Sequence, residues 1–514
     1  MTKRPLVFLS LLPVLLSVSF GAAASDENSS RVREISIKEC VEKALRNNID
    51  IAVSRAEKEI GELGVPIEEA AFLPKFTAEL GANRSITPSG SALDSSLSVD
   101  QKIYTFELGA KDLLRTGTAL TFAFESQRQE TGSAVSLLSP EYRTALTLKA
   151  QQPLLKNFGR KVTEAPLEIA RAGAAEKTEE WKAKVMDIVA AARTAFLAFS
   201  DATREMEVRR TAMELAERLL VQTDARIDAG AMAPMDRLPA EAAVAAHKEE
   251  LLRAEAAAQG AADDLKNVLG VRSGAEWEEK MVPAPMTGEI PAPGAEETFE
   301  EALRRRPELS AQAARRAQAE IQESVARNRT LPSIDLSLST GLSGLSGAPN
   351  PNPLFPSSAG AFEGSYGDSI DQAFSGRYYN WFVGLSTEIP WRFDREKAEW
   401  ARARTAAERQ RLAAEALSSR IRMEVRKGRR DLESALVRIE ASRASVASAA
   451  KQLEAEDRKL ELGRSTVFQV LQYQQDLSEA RLVEVRARTD AHVSQTRLWR
   501  SVGTILEQER ISVR

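Results

Sequence analysis

The 514-residue sequence predicts an α+β fold in which one helix–strand–strand–long helix–helix unit is used twice, and three observations carry that expectation. Two gapless matches run between the halves. Residues 44–80 superpose on 302–338, pairing Ala44-Leu45 with Ala302-Leu303, Asp50 with Glu308 and Leu73-Pro74 with Leu331-Pro332. Residues 165–270 superpose on 398–503, pairing Gly230 with Gly463, Leu238 with Leu471 and Gly270 with Gly503. Within each copy the hydrophobic period switches from helical to alternating and back. Finally, Phe199, Met206, Met213, Leu220 and Ile227, and their counterparts Leu432, Ile439, Val446, Leu453 and Leu460, recur every seven residues, the signal of left-handed coiled-coil packing. Copies this far apart are an internal duplication, not a short-period solenoid. The middle of the first copy is 25 residues longer than that of the second, a difference expected to fall in loops.

The chain opens with Lys3 and Arg4, an apolar run from Leu6 to Phe20, and Gly21-Ala22-Ala23-Ala24-Ser25, with small residues placed for a cut after Ala24. Residues 1–24 read as a signal peptide, because the run is short for a spanning helix and contains Pro13. No cysteine follows the cut, so a lipid anchor there is not supported. Nothing downstream reaches about 18 consecutive apolar residues, so only a β-barrel would take the mature chain across a bilayer.

The first repeat is placed at 25–270, a linker at 271–297 and the second repeat at 298–514. Each repeat begins with a helix, about Ser36–Phe72 and Thr298–Leu331, stopped by its Leu-Pro pair. Alternating segments follow and predict strands at about 75–85 and 141–152, then at about 333–341 and 380–390. The Gly/Ser/Asn/Pro-rich stretches Gly81–Pro140 and Gly341–Gly376 read as loops. Leu97–Tyr104 and Thr118–Phe124 also alternate, which leaves open a further pair of strands there. Long helices are predicted at about 163–229 and 394–462, ended by Gly230 and Gly463, with return helices at 235–269 and 466–502 that end at Gly270 and Gly503. At 1.5 Å per residue some 65 residues span roughly 100 Å, more than one globular domain requires.

Two copies supply about four strands, and a membrane barrel needs at least eight, so closure demands oligomerisation. Three chains would give twelve. Val383, Leu385 and Ile389 would face lipid while Gly384, Ser386 and Glu388 face an aqueous lumen, and Tyr378, Tyr379, Trp381, Trp391 and Phe393 cluster where an aromatic girdle belongs. A soluble hairpin with aromatic packing is the competing reading of those residues.

Composition removes most other classes. One cysteine excludes a disulfide framework, and Cys40, His247 and His492 are too scattered for a zinc site. With 70 Lys+Arg against 74 Asp+Glu there is no basic footprint for nucleic acid. The Arg-rich tract 395–430 (Arg402, Arg404, Arg420, Arg422, Arg426, Arg429, Arg430) is interleaved with Glu396, Glu399, Glu408, Glu415 and Glu424, the mark of a solvated coiled-coil face. No phosphate loop, metal cluster or nucleophile elbow is seen, so neither an enzyme nor a cofactor is expected.

The duplicated order helix, Leu-Pro, strand, loop, strand, long helix, Gly turn, helix closely resembles the TolC-like outer-membrane efflux and secretion channels over nearly the whole mature chain. Its most specific marks are the Leu-Pro pairs, the strand-end Gln152-Pro153-Leu154-Leu155, and the tip sequences from Ala229 to Leu238 and from Leu462 to Leu471. The resemblance implies a homotrimer with a twelve-stranded outer-membrane β-barrel continuous with an α-helical coiled-coil periplasmic barrel. It implies a passive duct of a tripartite efflux or type I secretion system, docked through a periplasmic adaptor (membrane fusion protein) to an inner-membrane pump of RND or ABC type. A soluble periplasmic coiled-coil scaffold or adaptor is the alternative.

On this reading the adaptor-contact tips are Gly230, Ala231, Met232, Ala233 and Pro234 with Gly463, Arg464, Ser465 and Thr466. The family's pore-entrance carboxylate, six residues after the tip glycine, falls on Asp236. Its equivalent in the second copy is Gln469, and a further acidic position falls on Gln472, so the paired acidic ring is absent there. Positions the family uses for Tyr and Arg gating bonds carry Leu460 and Ser465. Asp236 is expected either to line the pore or to act as a helix N-terminal carboxylate favoured by the dipole.

Overall fold

The computed structural model describes residues 33–89, 97–272, 274–286, 290–294, 298–351, 353–354 and 359–511; the signal peptide expected at 1–24 lies outside them. The first repeat runs β1 (Arg33–Ile35), α1 (Ile37–Asn47), α2 (Ile49–Glu69), β2 (Lys75–Pro88), β3 (Ser98–Leu113), β4 (Ala119–Thr131), β5 (Leu138–Pro153), α3 (Arg160–Thr163), α4 (Ala165–Asp228) and α5 (Arg237–Val268). Between the repeats lie α6 (Ala275–Glu278) and β6 (Met281–Pro283), the latter paired in parallel with β1. The second repeat runs α7 (Phe299–Arg305), α8 (Pro307–Asn328), β7 (Ser333–Pro349), α9 (Tyr366–Phe374), β8 (Tyr379–Glu388), α10 (Asp394–Glu461), α11 (Val467–Val502) and α12 (Ile505–Gln508).

Burial repeats with the sequence. Ala44 and Ala302 are both fully buried, as are Leu265 and Leu498, and the heptad residues Phe199 and Leu432 are buried at equivalent points of α4 and α10. Each copy therefore has its own apolar knot where a short helix crosses the long one: Val41, Val189, Phe196 and Leu269 in the first, Ile421, Val425, Leu432 and Val502 in the second. The long helices lie side by side in one layer. Next to the sheet the lateral order is α2, α4, α8, α10; at the far end it is α5, α4, α11, α10.

The opening helix of each repeat is broken, where the periodicity predicts one piece. In the first, Asn48 is extended (ψ 127°); its side chain caps α2 through the Asp50 amide and donates to the Val268 carbonyl at 2.9 Å. In the second, Arg306 is held extended (ψ 112°) by the proline that follows it. The breaks let α1 and α7 pack across the long helices while α2 and α8 run along them.

The sheet departs further from expectation. It has six strands in the order β2-β3-β4-β5-β7-β8, every neighbouring pair antiparallel. The two alternating segments inside the predicted 81–140 loop are full strands, so the extra length of the first copy is sheet rather than loop. The glycine-rich start of the second predicted loop also belongs to a strand, β7. Glycine is there for close approach: a Cβ on Gly344 would lie 1.8 Å from the Ser369 carbonyl oxygen of α9.

All four helix-ending glycines have positive φ and close the same two reverse bonds. Gly270 (φ 72°) is the most crowded, since an added Cβ would sit 2.4 Å from the Asn47 carbonyl oxygen, while one on Gly503 would sit 3.0 Å from the Arg305 carbonyl oxygen and Gly230 (φ 73°) has open space. Gly270→Ala should therefore cost about 1–3 kcal/mol from left-handed strain plus the clash, and lower the temperature at which helical circular dichroism is lost by more than Gly230→Ala does. Equal losses would mean that the Asn47 contact is immaterial.

Candidate functional site

In an antiparallel sheet directly paired residues share a face, and alternate residues face opposite ways. One face carries an apolar band across all six strands. Ala78, Leu108, Phe124, Leu146, Leu342 and Tyr379 are successive partners along one row, and Phe76, Ala110, Phe122, Leu148, Thr340 and Trp381 form the next. Phe76 and Leu80 are 81% and 82% exposed, so nothing in the same chain covers this face near β2. Such a surface costs roughly 25 cal/mol per Å² in water and nothing in hydrocarbon. Val383 and Leu385 lie on this face; Ile389 lies just past the end of β8.

The other face is polar. Thr77, Gly109, Ala123, Thr147, Gly341 and Asn380 form one row across the sheet, flanked by an acidic row, Glu79, Glu107 and Glu125, and a basic one, Lys75, Lys111 and Lys149, with Thr121 between the last two. Like charges directly opposite on neighbouring strands repel, and are tolerable only where water screens them. Gly384, Ser386 and Glu388 are on this side. Among the described residues no helix is long and apolar enough to cross a membrane.

The two tips lie side by side at the far end of the helical layer. At each, the glycine amide bonds the carbonyl three residues back, Gly230 to Ile227 at 2.9 Å and Gly463 to Leu460 at 3.1 Å. The next residue's amide reaches one turn further, Ala231 to Arg226 and Arg464 to Lys459, both at 2.8 Å. The Arg226 guanidinium also donates to the Leu460 carbonyl at 3.1 Å, tying one tip to the other. Met232 packs into a cluster that includes Leu219, Leu453, Leu460, Val467 and Val470, whereas Gly230, Ala231, Ala233, Pro234, Gly463, Arg464 and Thr466 are exposed.

Of the expected entrance residues, Asp236 is turned to its own backbone, its Oδ2 accepting from the Ala233 amide at 3.2 Å. Gln469 is exposed, and its amide is capped by the Thr466 hydroxyl at 3.3 Å. Gln472 lies one turn along α11 and donates to Asp476 at 3.2 Å. Leu460 and Ser465 make bonds of another kind: the first gives its carbonyl to Arg226, and the second donates its hydroxyl to Glu456 at 2.5 Å. Glu456 and Arg226, both missed from the sequence, hold the second tip. Arg226 carries a faint signal, as a cation in the last turn of a helix.

The Ser465 hydroxyl, and then Lys459 at 2.9 Å, hold the Glu456 carboxyl below the usual carboxylate range. A depressed native pKa gives a contribution that is complete above the unfolded pKa and fades as pH falls through the native one. A spin label at Arg464→Cys should thus become more mobile only below the ordinary carboxylate range, and with Ser465→Ala should begin to do so at higher pH. Mobility that ignores both changes would remove Glu456 from the tip's support.

The family model for outer membrane efflux protein matches residues 40–271 and 298–504. No curated protein sequence matches the chain. Among solved structures, the outer-membrane channel OprN is 17% identical with a TM-score of 0.66, covering 91% of this chain and 90% of that one. The CmeC outer membrane channel of Campylobacter jejuni is 14% identical with a TM-score of 0.65, covering 96% and 94%. The open state of the MtrE outer membrane channel of Neisseria gonorrhoeae is 18% identical with a TM-score of 0.62, covering 91% and 89%.

Proposed function

The chain belongs to the outer membrane efflux protein family, and on that premise we propose that three copies close into a passive export duct joined to a periplasmic adaptor and, through it, an inner-membrane pump. It is an outer-membrane efflux channel with a large periplasmic helical portion. What carries the assembly reading is a pair of unfilled lateral edges. On α2, Ile49, Val53, Ala56, Ile60, Leu63 and Ile67 are exposed and spaced alternately by four and three, a coiled-coil seam without a partner in its own chain. At the opposite lateral edge, α10 exposes Ala398, Thr405, Leu412 and Ser419 every seven residues, a stripe in which three small residues leave room for knobs from such a seam and Leu412 adds an apolar contact. Sheet edges β2 and β8 lie on the same two sides, so one neighbour engages wall and helices together.

Energy would come from the pump. The duct needs only to be continuous, wet inside and apolar where it meets lipid, which suits a chain in which charges such as Arg395 with Glu399 and Arg411 with Glu408 and Glu415 pair along a helix. The exposed tip residues around Gly230 and Gly463 are our adaptor-contact assignment. Their helix-turn shape suits docking on a helical hairpin.

Three tests follow from this reading. The mature protein should fractionate with the outer membrane and migrate as a heat-modifiable oligomer; recovery in the soluble periplasm would favour the scaffold alternative. Ile60→Glu with Leu63→Glu should abolish the oligomer, because charge replaces the centre of the seam, and an unaltered oligomer would show that α2 faces no neighbour. Gly230→Val with Gly463→Val should weaken cross-linking to the adaptor several-fold with the oligomer intact, and unchanged cross-linking would refute the docking assignment.

A further inference from the structure

We infer that β3 and β4 are wall strands of the pore, so that three copies close a barrel of eighteen strands, β8 of one copy pairing with β2 of the next. The copy number rests on the trimeric assembly proposed above; the wall assignment stands on the sheet itself.

Three observations carry it. The hairpin is in continuous register with both neighbours: β3 pairs with β2 from Lys75↔Lys111 to Pro88↔Ser98, and β4 pairs with β5 from Ala119↔Gln151 to Gln129↔Glu141. A decorative excursion would pair over a few residues at one end. The hairpin also keeps the two-faced pattern in phase, Leu108 and Phe122 falling on the apolar face and Glu107 and Thr121 on the polar one. A hairpin standing in water above a membrane has no use for the apolar band that Leu108, Ala110, Phe122 and Phe124 continue across it.

The third observation is at the turn joining β3 to β4. Arg115 pairs with Glu164, ahead of α4, at 2.8 Å, lies 3.6 Å from Glu69 at the end of α2, and stacks over Phe72. The Thr116 carbonyl accepts from the Gly159 amide at 3.3 Å, and a Cβ on Gly117 (φ 90°) would sit 3.0 Å from the Thr163 hydroxyl. The turn is thus built into the junction where helices become strands.

Six strands also match the helices in width. With strands about 4.8 Å apart and tilted about 40°, six occupy an arc of about 38 Å, whereas four would occupy about 25 Å. Four helices side by side at 8–10 Å take about 32–40 Å. Sheet and helical layer therefore continue into one another without a taper. Since six antiparallel strands leave edges β2 and β8 antiparallel to each other, copies add in one closed antiparallel ring. By the same spacing, eighteen strands enclose a backbone radius of about 18 Å, against about 12 Å for twelve, so the duct admits wider cargo at the outer membrane.

The test uses the full mature chain with Cys40→Ser, reconstituted in phospholipid bilayers and spin-labelled singly at Leu108→Cys, Phe122→Cys, Glu107→Cys and Thr121→Cys, with the oligomer mass of each sample measured. Labels at 108 and 122 should be several-fold more accessible to oxygen, which partitions into lipid, and those at 107 and 121 to an aqueous nickel chelate, in particles of three chains. Nickel access at all four positions, in particles of three chains, would place the hairpin outside the bilayer and overturn the wall assignment while sparing the trimer. Alternating access in particles of another copy number would overturn the trimer, and eighteen with it, while sparing the six-stranded sector.

Discussion

A sheet edge cannot rest in hydrocarbon. Each backbone amide or carbonyl left unpaired there costs several kcal/mol, and a six-stranded sheet with one apolar face has two such edges and too few strands to curl onto itself. The rest of the molecule can be understood as a response. On the proposed assembly copies meet edge to edge. The apolar face would then turn to lipid, the rows bearing Glu79, Glu107 and Glu125 to water, and the helices below would fall into a ring. The exposed seam on α2 would acquire a partner from the same act of closure.

Duplication supplies reach. Each repeat sends one helix of more than sixty residues away from the sheet and returns along it, and the same glycine device ends both the outward and the return helix. Repetition of the device does not make the four sites equivalent. Gly270 is jammed against the carbonyl of Asn47 at the mid-height knot, while Gly230 and Gly463 stand in open space at the tips. The crowded glycines serve packing and the open ones leave backbone and small side chains facing outward. A tip braced by Arg226 and Glu456 yet bare at its apex combines a firm support with an accessible surface.

Much of this was legible from periodicity, because period seven, period two and a glycine after the last apolar residue are local signals. The reading failed where composition stood in for geometry. Ser/Gly-rich sequence at 341–349 suggested a loop, but the stretch is strand, and Gly344 in it permits α9 to lie on β7. Alternation at Leu97–Tyr104 and Thr118–Phe124 was visible, yet nothing local says whether two short strands join a larger sheet; their register partners do. Periodicity passes over both breaks in the opening helices: that before Pro307 has a local cause in the proline, whereas the break at Asn48 depends on a carbonyl 220 residues away. At the tip the glycines stood out, but the Arg226–Leu460 bond spans 234 residues and has no sequence signature. Asp236, read either as lining the pore or as a helix N-terminal carboxylate, accepts from the Ala233 amide in the first helical turn after the tip.

The central claim is that this chain assembles into an open aqueous passage through a bilayer, and electrical recording on purified oligomer in a planar lipid bilayer tests it most directly. The account predicts discrete current steps, larger or longer-lived when the tip brace is loosened by Ser465→Ala. Oligomers that insert in the bilayer yet carry no current, with the tips braced or loosened, would contradict it.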